Sequence, residues 1–164
     1  MEKPLVGILM GSENDLPVME RAADVLTEMG VQWEMEISSA HRLPDKTAEY
    51  ARTARERGIE VLICGAGMAA HLAGVVASHT TLPVIGVPLK SGALAGVDAL
   101  YSTVQMPPGI PVATVAIDGA KNAAYLACSI LSIKRPELAE GLERFRAETR
   151  AGLLAKSAEL KNSK

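Results

Sequence analysis

The sequence predicts an open α/β fold: a five-stranded parallel sheet with helices on both faces and a long C-terminal helix. Three observations carry that reading. Five short apolar runs punctuate the chain, and stretches of helical periodicity separate them. Four of the five runs are nearly unbroken in Val, Ile, Leu, Ala and Gly, as strands covered on both faces must be. Aromatic residues make up only 3% of the chain, so its layers have to pack at close range through Ala, Val, Leu, Ile and Met. The 164 residues suit one domain with a full core. No repeat, linker or low-complexity segment divides residues 1–164.

The first run, Leu5–Met10 (LVGILM), leads into a helix over Leu16–Met29. Val18, Met19, Ala22, Val25, Leu26 and Met29 share one stripe of that helix, and Gly30 ends it. The second run, Val31–Ile37 (VQWEMEI), alternates apolar and polar, which predicts an edge strand with one wetter face. Pro44 opens the next helix where the first turn tolerates proline, Ala48, Ala51 and Ala54 point inward, and Gly58 follows Arg57 as its stop. The third run, Glu60–Gly65, precedes a helix over Ala69–Ser78 that is small and apolar nearly all round, hence buried. After the fourth run, Leu82–Val87, part of Ala93–Val104 is helical. The fifth run, Pro111–Ile117, precedes a helix over Asn122–Ile133.

The last helix, from Pro136 to about Leu160, sets Leu138, Leu142, Phe145, Leu153 and Leu154 among many charges. At about 1.5 Å per residue it would run roughly 35 Å, more than a domain of this size needs. Residues 136–164 are therefore expected to form a helical extension that packs in part on a neighbouring subunit.

Composition narrows the function classes. With 48% hydrophobic and 22% charged residues, the chain reads as globular and soluble. A net charge of −2 gives no general attraction to nucleic acid or to anionic lipid. No apolar run approaches the about eighteen residues of a membrane span, and the short apolar core of MEKPLVGILMGS is not that of a signal peptide. Cys64 and Cys128 lack paired spacing, so two buried thiols in a reducing cytoplasm are expected.

In an open parallel sheet, ligands sit beyond the carboxyl ends of the strands. Each strand here is followed at that end by small or polar residues: GSEND (11–15), SSAHR (38–42), GAGMAAH (65–71), PLKSGAL (88–94) and DGAKNAA (118–124). Five loops are expected to converge on one edge.

In the first loop, Ser12 and Asp15 have capping-box spacing, which alone would explain them as a helix start. As chemistry, the Ser12 hydroxyl and nearby N–H groups suit an anion, and Asp15 suits a ribose hydroxyl better than a phosphate. The loop lacks the Walker lysine and the Gly-x-Gly-x-x-Gly fingerprint, which disfavours a nucleoside triphosphate or a dinucleotide.

In the second loop, His41 and Arg42 sit side by side after Ser38, Ser39 and Ala40. A loop arginine often pairs with an acid, and a lone surface histidine is usually only solvated. At the ligand edge, Arg42 offers a planar fork of donors for phosphate or carboxylate, and His41 is the side-chain type that exchanges protons near neutral pH. In the third loop, Gly65–Ala70 serve close helix–strand packing, but they also let a planar ligand lie against backbone N–H groups. His71 alone would suit a satisfied histidine as well as a ligand contact, and His79 is read as structural. Three His and two Cys without H-x-x-E-H or C-x-x-C spacing disfavour a metal site. No G-x-S-x-G elbow supports a serine hydrolase.

These loops closely resemble those of the N5-carboxyaminoimidazole ribonucleotide mutase family, also known as the catalytic subunit of phosphoribosylaminoimidazole carboxylase. The resemblance rests on GSENDLPVM, SAHRLPD, GAGMAAHLAG, LPVIGVPLKSGALAGVDALYSTVQMPPGIPVATVAI and NAAYLA, in order over about Leu5–Ile133. Arg42 and the GAGMAAH loop resemble the mutase branch. The branch that uses free carbon dioxide has lysine after the histidine and an Ala-Gly-Arg-Ser-Asn loop. Two departures are expected to touch the loop over the base: Met68 stands where the common pattern has Gly, and Ala73 where it has Pro.

The resemblance implies a flavodoxin-like three-layer sandwich and a homo-octamer with active sites between subunits. It implies a purine-biosynthetic isomerase that moves a carboxylate from the exocyclic nitrogen to ring carbon 4 of 5-aminoimidazole ribonucleotide. His41 would carry the proton, and no metal, ATP, nicotinamide or other cofactor is expected. Ser12, Asp15 and Arg42 would bind the ribonucleotide, with Ser12 and Arg42 on its phosphate. Ser39, Ala40, Gly67 and His71 would line the base and carboxylate pocket. The rivals are direct carboxylation of 5-aminoimidazole ribonucleotide by carbon dioxide and a non-catalytic ribonucleotide-binding module, which would need no His41.

Overall fold

The computed structural model describes residues 3–162. Five strands alternate with six helices: β1 (Val6–Met10), α1 (Leu16–Glu28), β2 (Trp33–Ile37), α2 (Pro44–Arg57), β3 (Val61–Gly67), α3 (Leu72–His79), β4 (Val84–Leu89), α4 (Val97–Val104), β5 (Ala113–Thr114), α5 (Ala120–Leu131) and α6 (Pro136–Asn162). The strands pair in parallel in the order β2-β1-β3-β4-β5. This is the three-layer flavodoxin-like arrangement.

Period-two alternation divides each central strand between two cores. Val6, Ile8 and Met10 face α1 and α5, where Met19, Ala22, Leu26, Ala123 and Ala127 are buried against them. Leu9 and Leu62 face the other way, onto Tyr50, Ala51 and Ala54 of α2 and Leu72 and Val76 of α3. A strand buried on both faces must read as a continuous apolar run, which is why the segments of β1, β3 and β4 do. The small residues are there for distance. A β-carbon at Gly65 would collide with the Met19 thioether, and one at Gly86 with Thr103 of α4.

The fifth strand is shorter than its run. Pro111–Ile117 was expected to be extended throughout, yet only Ala113 and Thr114 form a ladder, opposite Ile85 and Gly86. As an edge it has one neighbour, and Pro111 carries no N–H to donate. The chain still tracks β4 through Val115 N–H to the Gly86 carbonyl (3.1 Å) and Asp118 N–H to that of Pro88 (2.9 Å).

The other edge, β2, was expected to bury one face. In the single chain, however, its apolar ends Trp33 and Ile37 are both exposed. Helix α3 starts at Leu72 rather than Ala69 because Met68 takes a left-handed backbone (φ 53°) and Ala70 N–H closes a tight turn onto its carbonyl (2.8 Å). Conversely, α5 begins at Ala120, one half-turn before Asn122.

Helix α6 is 27 residues long, about 40 Å at the α-helical rise. Leu138 and Leu142 are buried in the α1–α5 core, and Phe145 stacks on Tyr125 with ring centroids 4.5 Å apart. Beyond Phe145 the helix leaves the domain, and Leu153, Leu154 and Leu160 lie in solvent. Cys64 and Cys128 are free and buried. Desolvation pushes both thiols up, Cys128 to about 11. Among the described residues no helix is long and apolar enough to cross a membrane.

Candidate functional site

At the carboxyl edge of the sheet, the loops after β1, β2, β3 and β4 enclose one cavity of about 520 Å³. Ser12, Asp15, Ser39, Ala40, His41, Arg42, Gly67 and His71 all line it. The loops that carry them are extensions of the sheet. Gly11 N–H donates to the Gly65 carbonyl (3.2 Å) and Ser38 N–H to that of Met10 (2.8 Å), so strand pairing continues into the site.

Ser12 has an extended backbone, and its Oγ accepts the Asn14 N–H (3.2 Å) at the head of a single 3-10 turn, Glu13–Asp15. The Asp15 carboxylate accepts backbone N–H groups of Ser12 and Gly11 in return. Ser12 thus caps a 3-10 turn rather than α1 itself, with the Asn14 N–H in place of the Asp15 N–H that a capping box would use. Burial pushes the Asp15 carboxyl above its ordinary value, opposed by the Ser12 and Gly11 N–H groups and by the Arg42 charge.

The second loop is tied down at both ends. Leu43 N–H donates to the Ser39 carbonyl (2.7 Å), and beneath the loop the Ser38 and Thr47 hydroxyls share a buried bond of 2.8 Å. The Ser39 Oγ accepts both the backbone N–H and the Nε–H of Arg42, each at 3.4 Å. Arg42 Nη2 donates to the Gly11 carbonyl at 3.0 Å. The guanidinium therefore bridges the loops after β1 and β2 beside Ser12, with the rest of its donor fork unspent. His41, from the same loop, meets His71 from the loop after β3. Their ring centroids are 4.9 Å apart and tilted by 42°.

Among the described residues three non-glycine residues have left-handed backbones, and all three lie in loops at this edge: Met68 (φ 53°), Ala95 (φ 51°) and Asp118 (φ 57°). Such strain persists only where its surroundings enforce it, and functional edges are where it concentrates. The fifth loop, 118–124, does not line the cavity as the sequence suggested. It props the fourth instead: Asp118 Oδ1 accepts the Lys90 N–H at 2.8 Å.

Ala73 is a second correction. It was expected on the loop over the base, but it is buried in the second turn-facing position of α3, against Gly86. Proline would be tolerated so early in a helix, and alanine fits there equally, so the substitution bears on packing.

Sequence reasoning missed Asn14 and Ser91, which also line the cavity. Ser91 carries a buried hydroxyl without a hydrogen-bond partner among the described residues. Its Oγ occupies the space a β-carbon at Gly67 would need, so glycine is required at 67 for the two loops to meet. The only signal in the sequence was a serine two residues past the end of the β4 run. His79 lies away from the cavity, near Arg52. Among the described residues no group of three or more His, Cys, Asp or Glu is placed to hold a metal ion.

An open parallel sheet whose carboxyl-edge cavity gathers a guanidinium, a serine hydroxyl, a carboxylate and two imidazoles is the arrangement of an α/β protein with a small-molecule site. The chain belongs to the AIR carboxylase family, whose sequence model matches residues 5–151. It is 65% identical over 145 residues to the N5-carboxyaminoimidazole ribonucleotide mutase of Pyrococcus abyssi, a match covering 88% of this chain and 83% of that protein. It is 57% identical to the protein of the same name from Thermotoga maritima, covering 96% and 92% of the two chains. Among solved structures, the crystal structure of Treponema denticola PurE superposes with a TM-score of 0.88 at 31% identity, covering 97% of this chain and 99% of that one.

Proposed function

We propose that the protein interconverts N5-carboxyaminoimidazole ribonucleotide and 4-carboxy-5-aminoimidazole ribonucleotide in purine biosynthesis, with His41 as the general acid and base. The observation that carries this reading is the meeting of His41 and His71 in the cavity that Ser12, Asp15 and Arg42 also line. The names of the close relatives support it.

Arg42 and Ser12 take the phosphate, and Asp15 accepts from ribose hydroxyls. That places the aminoimidazole ring between the backbone of Ser39, Ala40 and Gly67 and the two histidines. His41 protonates the exocyclic nitrogen as its bond to the carboxylate carbon breaks, and carbon dioxide is set free. Ring carbon 4, made electron-rich by the amine, forms a bond to that carbon dioxide. His41, now the free base, takes the proton from carbon 4 and aromaticity returns. One group that gives and then regains a proton closes the cycle. Holding carbon dioxide beside the carbon nucleophile is a proximity effect.

The active assembly in this reading is a homo-octamer with its sites between subunits. The exposed apolar residues of β2 and of the outer half of α6 serve as subunit contacts. Feeding the pure protein the carbamate substrate, without ATP or added metal, should yield the 4-carboxy product. If it instead consumes only 5-aminoimidazole ribonucleotide with carbon dioxide, the mutase assignment fails in favour of direct carboxylation.

A further inference from the structure

We infer that Met68 is the wall that keeps carbon dioxide in the cavity between the two halves of the reaction, an inference that rests on the mutase reading above. Carbon dioxide is small, neutral and apolar, so Arg42 and the histidines cannot hold it by charge. Only walls can. Most of the cavity lining near Gly67 is small: Ala40, Ala66, Ala69 and Gly67 itself.

Met68 is the long apolar side chain on this loop that stays at the surface, 58% exposed, while lining the same cavity. Its thioether arm lies over Gly92 on the loop after β4. A β-carbon added at Gly92 would touch Cγ, Cε and Sδ of Met68 at 3.7–4.0 Å. Gly92 has no side chain of its own and a left-handed backbone (φ 61°). The two loops also meet through Ser91 against Gly67, and Met68 adds the long apolar arm over Gly92.

The backbone makes the same point from the other side. Residue 68 has φ 53°, which glycine adopts freely and methionine only under strain. A strained side chain is retained where it does something glycine cannot. A flexible, polarisable thioether is suited to sealing an irregular gap between two loops. Excluding water and retaining a reactive intermediate is what closure of a site achieves.

The test follows the carboxylate carbon. Carbamate substrate labelled with carbon-13 in its carboxylate is turned over in unlabelled bicarbonate with carbonic anhydrase present. The label kept in the 4-carboxy product and the free 5-aminoimidazole ribonucleotide released are then counted per turnover. The parent protein should keep most of the label. Met68→Gly, whose backbone suits the site, should fold and release roughly tenfold more free amine per product, less than the about hundredfold cost of losing a whole reacting geometry. Met68→Leu should restore retention, which a merely structural role for Met68 would not require.

Equal label retention in Met68→Gly and parent overturns the inference. So does a parent that forms product but exchanges all its label, since there is then nothing to retain, and the mutase reading survives that result. A parent that does not consume the carbamate overturns the mutase reading and this inference with it.

Discussion

Cutting the chain after Arg150 should weaken the assembly while leaving the domain folded. The removed segment carries Leu153 and Leu154, which are 68% and 63% exposed. The helix is anchored upstream, by Leu138 and Leu142 in the core and by Phe145 on Tyr125. Burying a leucine completely is worth about 1.5–3 kcal/mol. With nearly two-thirds of each side chain still available to bury, the pair should contribute about 2–4 kcal/mol per tail to a subunit contact. At about 1.4 kcal/mol per decade, that is roughly thirty- to seven-hundredfold in the association constant. Light scattering should show a smaller particle for the truncated protein at micromolar concentration. Activity should fall with particle size and recover partly as concentration rises, because the proposed assembly sets its sites between subunits. Far-ultraviolet circular dichroism should lose only the helix removed. A fully active assembly of unchanged mass would refute the reasoning and make the outer half of α6 dispensable.

His41→Asn should still bind the ribonucleotide in calorimetry while turnover falls by at least about a hundredfold, the low end for losing a general acid–base group; near-normal turnover in the folded variant would remove His41 from its role. Arg42→Ala should weaken ribonucleotide binding by about 2 kcal/mol, the value of charged hydrogen bonds. The dephosphorylated nucleoside should be nearly unaffected, whereas equal weakening of both would mean that Arg42 only braces the loop through Gly11 and Ser39. Glu60, which accepts from both Arg135 Nη groups (2.7 and 3.0 Å), has its carboxyl held below the ordinary range by those bonds, against partial burial. A carboxyl lowered on folding stabilises the native state above its unfolded pKa, near 4.3, and that stability drains away as pH falls through the lower folded value. Glu60→Gln should therefore cost up to about 1 kcal/mol in urea at pH 7 and progressively less below pH about 4; a pH-independent deficit would contradict the ion-pair account.

Where the fold was legible, the reason was burial on two sides. β1, β3 and β4 face helices above and below, so their sequences are apolar throughout, and their order along the chain implies crossover helices. The Ala48, Ala51 and Ala54 stripe of α2 was readable for the same reason. What escaped depended on backbone states that no periodicity encodes. The left-handed turn at Met68 delays α3 to Leu72, and only a contact across the fold shows why. The edge β5 keeps only Ala113 and Thr114 of its run on the ladder, and Pro111 at the head of that run has no N–H to donate. In the site, loop position pointed to His41 and Arg42, and resemblance to the family added the roles of Ser12, Asp15, Ser39, Ala40, Gly67 and His71, all of which line the cavity. Ser91 was missed, because a serine beside a strand end is common, and what sets it apart, a buried hydroxyl packed against Gly67, exists only in three dimensions. The alternation of β2 was read as a half-buried face, but Trp33 and Ile37 stay exposed in their own chain.

That last mismatch connects to the strain at the site. Met68, Ala95 and Asp118 hold left-handed backbones at about 1–2 kcal/mol each, a total of about 3–6 kcal/mol against the about 5–15 kcal/mol by which domains are usually stable. A single chain in this condition, with Trp33, Ile37, Leu43, Tyr101, Leu153 and Leu154 in solvent, would have little reserve. Each such side chain is already partly covered, so burying the remainder returns about 0.6–2 kcal/mol apiece and about 5–9 kcal/mol for all six, enough to offset the strain of the loops. The geometry that confines the ligand and the apolar faces left outside are then two parts of one balance. If so, a dissociated subunit should lose ordered loops at the carboxyl edge before it loses the sheet. Hydrogen exchange would show this as early protection loss at residues 66–70 and 90–96, with β1 and β3 still protected; simultaneous loss across the sheet would break the link between assembly and site.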